Sequence, residues 1–296
     1  MNGWLVINSF AQTAESLKLF ELLKEAAART GTELKTLRTV ELASPINGAR
    51  DAGIPEEKAN PDFVLFWDKD VLLARVLETR GIRLFNRAQA IETCDSKALT
   101  AIALQERDVR QPLTFISPKT FEYFGYNDPA FLSVYEEALG YPYVIKEEFG
   151  SFGLGVHLVG NRSEAEELIG RIGSKTFIAQ KFIRESAGRD LRIYVVGGQV
   201  IASMLRENKN DFRSNVFQGG KGFKHSPSPE EEALAIKAAE AVNCDFCGVD
   251  LLIGDNGPLV CEVNSNAHFT GLLKYTGINV ADSIFRHIFE NVRRSS

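Results

Sequence analysis

The chain has 296 residues, 44% of them hydrophobic and 25% charged, with a formal net charge of −5 and a pI near 5.6. This composition excludes a disordered or fibrous chain, allows two or three packed units, and argues against general affinity for nucleic acid or anionic membrane while leaving a local basic pocket open. No stretch reaches the ~18 consecutive apolar residues of a membrane span, and MNGWLVINSF lacks the basic start of a secretory signal, so a cytoplasmic protein is expected.

In chain order, WLVI (4–7) reads as a short buried strand and ESLKLFELLKEAAART (15–30) as a helix ending before Gly31. DFVLFW (62–67) is a second strand, VLLARVLETR (71–80) a helix stopped by Gly81, and IRLFN (82–86) a third strand. Such alternation implies βαβ units and a parallel sheet, in which ligands sit beyond the carboxyl ends of strands. That rule puts Asn8, Ser9, Asp68, Lys69, Asn86 and Arg87 near a cleft, although each alone reads equally well as a solvated loop residue.

From Cys94 the pattern changes. Asp95 or Ser96 caps a helix over 96–107, a second helix spans roughly 130–139, and YPYVIK (141–146) is a strand followed by the loop EEFGSFGLG. Next come the strand VHLV (156–159), the helix SEAEELIGRI (163–172), FIAQKFI (177–183), and the strands LRIYVVGG and QVIASML within 191–205. A polar loop to Gly222, a helix over 229–242, a hairpin and a final helix near 279–293 complete the chain. The expected class is α/β, becoming α+β in the C-terminal part. Cys94, Cys244, Cys247 and Cys261 are too few for a disulfide framework, and the lone C-x-x-C at 244–247 reads as small buried side chains rather than a metal or redox site.

The hairpin carries the sharper signal. In CGVDLLIGDNGPLVCEVN, two apolar runs flank Gly254-Asp255-Asn256-Gly257. A turn centred on Asn256 pairs Asp250 with Glu262 on one sheet face, and Asn264, two residues on, points the same way. Two carboxylates and an amide oxygen converging from apolar strands are what a hard cation such as Mg²⁺ requires; the bland alternative is a pair of solvent-screened acids.

A cationic group lies upstream. Lys146 ends a strand, and the loop after it, Gly150-Ser151-Phe152-Gly153-Leu154-Gly155, is flexible enough for its N–H groups to wrap phosphate oxygens. It is neither a Walker A loop nor a dinucleotide fingerprint, and alone it reads as an ordinary turn. Lys97, in the first turn of its helix, can join an anion at the positive end of the dipole. Arg192, Arg206, Arg213 and Asn215 fall between loop and hairpin in sequence. Phosphate loop, metal hairpin and basic clamp together point to ATP chemistry.

These pieces resemble the ATP-grasp superfamily and, within it, the RimK-like carboxylate–amine ligases of the alpha-L-glutamate type. The segments that carry the likeness are NRAQAIETCDSKALT (86–100), YPYVIKEEFGSFGLGV (141–156), FIAQKFIRESAGRDLRIYVVGGQVIASMLR (177–206), DFRSNVFQGG (211–220), GVDLL (248–252) and LVCEVNSNAHF (259–269). The resemblance covers about 86–290, while residues 1–85 match only in α/β character. It implies an ATP-grasp domain over 91–296, with a lid subdomain at about 112–180, preceded by a small parallel α/β domain over 1–90.

The resemblance also implies roles. Lys97 and Lys146 would contact ATP phosphates, with Ser151, Phe152 and Gly153 closing over them, and Gln180, Lys181, Phe182 and Ile183 would be the hinge that receives adenine. Asp190 would sit near the ribose, Arg192 and Asn215 near the γ-phosphate, and Arg213 at the substrate carboxylate or acyl phosphate. Asp250, Glu262 and Asn264 would hold Mg²⁺, as two ions, with Mn²⁺ as a substitute. The partners implied are small-molecule or peptide substrates bearing a carboxylate and an amine; nucleic acid and membrane are not expected, and a homo-oligomer is left open. Lys181 stands where many relatives carry Glu. Phe217-Gln218-Gly219-Gly220 replaces the Arg-Gly-Gly of glutamate-adding relatives, so glutamate as the added amine does not follow. A small-molecule kinase on the same fold is the second expectation, and a catalytically silent nucleotide-binding protein the third.

Overall fold

The computed structural model describes residues 1–11, 13–42, 61–151, 153–215 and 219–293. Phe152 of the glycine loop, and Phe217 and Gln218 of the segment that departs from Arg-Gly-Gly, lie outside the described residues.

The N-terminal sheet contains β1 (Asn2–Ile7), β2 (Glu33–Arg38), β3 (Phe63–Trp67) and β4 (Leu84–Phe85) in the order β2-β1-β3-β4, with every pair parallel. The central strands β1 and β3 are covered on both faces, which is why they read as unbroken apolar runs. β2 left no such signal because it is an edge strand that buries only Leu37. Helix α1 (Ala14–Arg29) begins where Thr13 Oγ1 accepts from Ser16 N at 3.1 Å, and it buries Leu19, Phe20 and Leu23. α2 (Val71–Thr79) is capped by Asp70 in the same way.

Two short helices, α3 (Ala88–Asp95) and α4 (Lys97–Glu106), lead to a middle sheet. Its strands are β5 (Thr114–Ile116), β6 (Tyr143–Glu147), β7 (Val156–Val159) and β8 (Phe177–Lys181), antiparallel in the order β5-β8-β6-β7. Helices α5 (Leu132–Leu139) and α6 (Arg162–Ile172) cover one face. The buried residues of this core, from Leu132 through Tyr143 to Ala179, all come from the middle segment.

The third sheet is antiparallel and five-stranded. It orders β9 (Arg189–Val196), β10 (Gln199–Glu207), β11 (Lys221–Lys224), β12 (Phe246–Gly254) and β13 (Gly257–Asn264) as β11-β10-β9-β12-β13. On one face Leu191, Ile193, Val249 and Leu251 pack against α7 (Pro229–Ala241), which starts with a capping box between Ser228 and Glu231. On the other face Tyr194, Met204 and Phe246 share a core with Leu5, Phe63, Trp67 and Phe85 of the N-terminal sheet, closed by α8 (Thr270–Thr276) and α9 (Val280–Arg293). Trp67 stacks on Phe246 with ring centroids 5.7 Å apart.

Alternation along each strand now has a consequence. The face that buries Tyr194, Met204 and Phe246 at one end carries Arg192, Arg206 and Asp250 at the other. One sheet face therefore serves as core and as site floor. Among the described residues no helix is long and apolar enough to cross a membrane.

Candidate active site

The hairpin pairs Asp250 with Glu262 and Gly248 with Asn264, as the sequence predicts, but by a different route. The turn is a two-residue loop, Asp255-Asn256, with Gly254 opposite Gly257 and Leu251 opposite Val260. A β-bulge at Cys261 then adds the one residue that brings Glu262 opposite Asp250. Because of the bulge, both Cys261 and Glu262 face the cleft while Val260 and Val263 stay in the core.

Asp250 is 4% exposed and lies at the centre of an ionic network. Arg192 donates its Nε to Oδ1 and its Nη2 to Oδ2, the latter at 2.8 Å. Arg206 Nη2 lies 2.9 Å from Asp250 Oδ2, and Arg206 also holds Asp190 in a fork, Nε to Oδ1 at 2.6 Å and Nη2 to Oδ2 at 2.5 Å. Burial alone would push the Asp250 carboxyl up; the two guanidinium groups outweigh it and hold the group below its ordinary range. Sequence reasoning placed Arg206 in a basic cluster and gave it no role. Its role comes from pairing with Asp190 across β9 and β10 and from diagonal reach to β12.

Glu262 differs. Among the described residues it makes no hydrogen bond or ion pair, although it faces the cleft. Asn264 lies outside the cleft lining, and its Nδ2 is buried without a partner, so nothing fixes the orientation of its amide. An ionised Asp250, an uncommitted Glu262 and a free amide on one hairpin face fit a hard cation. Among the described residues no group of three His, Cys, Asp or Glu could hold a metal ion.

The lysines face this floor from the middle sheet and α4. Lys146 is 7% exposed; its Nζ donates to Gln180 Oε1 at 2.7 Å and to Cys261 Sγ at 3.4 Å. Gln180 is thus spent on Lys146 and on Thr114, whose Oγ1 accepts from its Nε2 at 2.9 Å. Lys97 Nζ reaches the carbonyls of Gly150 at 3.1 Å and Glu148 at 3.4 Å. Burial pushes the Lys97 ammonium down, opposed by Glu262 and reinforced by Lys146 and Lys69. Both ammonium groups lie where an anion would relieve their mutual repulsion.

The glycine loop meets Arg213 and Asn215. Arg213 pairs with Asp211 at 2.7 Å and donates Nη1 to the Gly153 carbonyl at 2.8 Å. Gly153 has φ +77°, and a Cβ there would fall 3.0 Å from Asn215 Oδ1 and 3.4 Å from Arg213 Cδ. Only glycine meets both demands without strain.

Together these groups line a cleft with about 830 Å³ of empty space, its open mouth included. Lys97, Lys146, Ser151, Gly153, Gln180, Lys181, Phe182, Ile183, Asp190, Arg213, Asn215, Asp250 and Glu262 all lie on its wall, and Arg192 stands behind Asp250. Asn86, expected near a cleft, is instead fully buried, donating Nδ2 to the carbonyls of Phe246 and Ser265 at 2.8 Å each.

A family model described as the RimK-like ATP-grasp domain matches residues 96–288. The chain belongs to the RimK-like ATP-grasp family. A probable alpha-L-glutamate ligase 2 from Shewanella denitrificans is 34% identical over 290 residues, covering 93% of this chain and 92% of that protein. The RimK-domain ATP-grasp protein of Sphaerobacter thermophilus superposes with a TM-score of 0.72 at 22% identity, over 97% of this chain and 99% of its own. The D-alanine–D-alanine ligase of Bacillus anthracis complexed with ATP gives 0.72 at 17% identity, over 100% of this chain and 98% of its own. The latter two likenesses concern the ATP-grasp fold alone.

Proposed function

We propose that the chain is an ATP-dependent ligase that joins a carboxylate to an amine through an acyl phosphate, releasing ADP and phosphate. The observation that carries this reading is the pairing of two walls: Lys97, Lys146 and the glycine loop on one, and the Asp250–Glu262 hairpin with Arg206 on the other. A triphosphate needs cations along its length and oxygen ligands for its metal, and phosphoryl transfer needs no covalent nucleophile from the protein.

In this reading Lys97 and Lys146 bind phosphate oxygens, Ser151 and Gly153 close over them, and backbone groups at 180–183 take adenine. Asp190 lies toward the ribose. Arg192 and Asn215 stabilise the transferring phosphoryl group, and Arg213 leaves Gly153 to take the substrate carboxylate. Asp250, Glu262 and Asn264 would hold Mg²⁺, as two ions, or Mn²⁺ in its place. The metal supplies charge neutralisation of the phosphoryl group. The substrate carboxylate oxygen attacks the γ-phosphorus and ADP leaves; the amine nitrogen then attacks the acyl carbon, the carbon–oxygen bond to phosphate breaks, and the nitrogen gives up its proton. We assign residues 1–90 to an N-terminal unit and 91–296 to the ATP-grasp unit, with about 112–180 as its lid. The substrates are small molecules or peptides.

Hydroxylamine tests this directly. With a panel of candidate acids, ATP and Mg²⁺, it should intercept the acyl phosphate as a hydroxamate. A phosphate ester stable to hydroxylamine, with no hydroxamate, would replace the ligase with a small-molecule kinase.

A further inference from the structure

The glycine loop is held from three sides. Lys97 Nζ donates to the Gly150 carbonyl and Arg213 Nη1 to the Gly153 carbonyl, and both residues line the cleft. The third contact comes from the N-terminal sheet: Lys69 Nζ donates to Ser151 Oγ at 3.1 Å and to Asp95 Oδ1 at 2.5 Å.

Lys69 stands on a fixed mount. It follows Asp68 at the carboxyl end of β3, and Asp68 Oδ1 accepts from Lys69 N at 2.6 Å and from Asn8 Nδ2 at 3.2 Å. The Asp68 carbonyl accepts from Asn266 Nδ2 at 2.7 Å, and Asn266 lies two residues beyond Asn264, where β13 ends. One dipeptide therefore joins two parts of the site. Its backbone is tied to the segment after the Asp250–Glu262 hairpin, and its side chain reaches the glycine loop. Asp95 belongs to the same clamp, because it ends α3 next to Ser96, whose Oγ donates to Glu148 Oε1 at 2.6 Å just ahead of the loop.

Charge separates Lys69 from the other two lysines. Among the described residues Lys97 and Lys146 have no carboxylate within hydrogen-bond distance, so an anion suits them. Lys69 is already paired with Asp95 and lies outside the cleft lining. An ammonium has three donors, so a lysine bound to a carboxylate can still orient a neutral hydroxyl such as that of Ser151.

We propose that Lys69 is a positioning residue for the nucleotide, a latch that fixes Ser151, and with it the glycine loop, against the N-terminal sheet. It acts through Ser151 and not on the substrates themselves. The proposal extends the ligase reading, but its test needs no turnover.

Chymotrypsin cleavage of the ligand-free full chain after Phe149, which is 60% exposed immediately before the loop, reports how firmly the loop is held. Lys69→Met should be cut there about threefold faster or more, and Lys69→Arg, which keeps the charge and the donors, about as slowly as the wild type. Calorimetry then gives ATP affinity in the presence of Mg²⁺. Lys69→Met should raise the Kd about fivefold, whereas in a Ser151→Ala chain the same substitution should add less than about twofold, because the latch has already lost its hold. The melting temperature of Lys69→Met should stay near that of the wild type, since the side chain is 41% exposed.

Equal cleavage of Lys69→Met and wild type would overturn the latch. So would an effect on ATP affinity of the same size with and without the Ser151 hydroxyl, or a Lys69→Arg chain that behaves as Lys69→Met does. Faster cleavage throughout the chain with a lower melting temperature would make Lys69 merely structural. Absence of hydroxamate with the wild type would remove the ligase reading and leave the latch to be decided by cleavage and ATP affinity.

Discussion

Asp250 and Glu262 face each other, yet they are held differently, and substitution should separate them. Asp250 is locked between Arg192 and Arg206, so Asp250→Asn leaves the largely buried Arg192 guanidinium without its charge partner and Arg206 with Asp190 alone. We expect a loss of about 3 kcal/mol in stability together with loss of turnover. Glu262 has no hydrogen-bond or ion-pair partner among the described residues, so Glu262→Gln should cost under about 1 kcal/mol while turnover still collapses. Thermal melts beside ADP release at saturating Mg²⁺ check both, and near wild-type release by Glu262→Gln would make the hairpin structural. The sign of the pH effect follows from the depressed Asp250 carboxyl. Its contribution is fully present above the unfolded value of about 3.9 and is lost as pH falls through the lower folded value. Between about pH 4 and 2 the melting temperature of Asp250→Asn should therefore fall less steeply than that of the wild type.

Among the elements, the glycine loop and the hairpin show what the sequence could and could not reveal. A lysine closing an apolar strand, followed by three glycines in six residues, is enough to mark Lys146 and its loop from the order of residues alone. The contact that makes Gly153 irreplaceable leaves no such mark, because Arg213 and Asn215 arrive from a distant segment. Gly153→Ala should cost about 1–2 kcal/mol of local strain and raise the KM for ATP several-fold without changing the fold. Circular dichroism and steady-state kinetics suffice, and an unaltered KM would separate the loop from ATP binding. The hairpin teaches the opposite lesson. A turn centred on Asn256 predicts the Asp250–Glu262 pair, and a two-residue turn with a bulge at Cys261 delivers it, because the bulge makes up the one residue by which the turn differs. Neither β2 nor the part played by Arg206 could be read, since an exposed edge strand lacks an apolar run and a lone arginine carries no record of its register.

For the whole molecule, the deciding feature is where the cores lie. Residues from both ends of the chain share one apolar cluster, in which Leu5, Phe63 and Phe85 meet Tyr194, Phe246 and Phe285. Asn86 ties the same junction, bonding Phe246 and Ser265 carbonyls while its Oδ1 accepts from Asp245 N at 2.7 Å. Asn86→Ala leaves several buried backbone groups unpaired and should cost at least about 2 kcal/mol, read as a lower denaturant midpoint with an unchanged slope. A midpoint within error of wild type would remove that junction from the stability of the fold. The middle sheet stands apart, since its buried residues come only from its own stretch of chain. In engineering terms that stretch is a cassette: grafting the corresponding segment of a relative between α4 and β9 would exchange one wall of the cleft without disturbing the joint that the two chain ends build together.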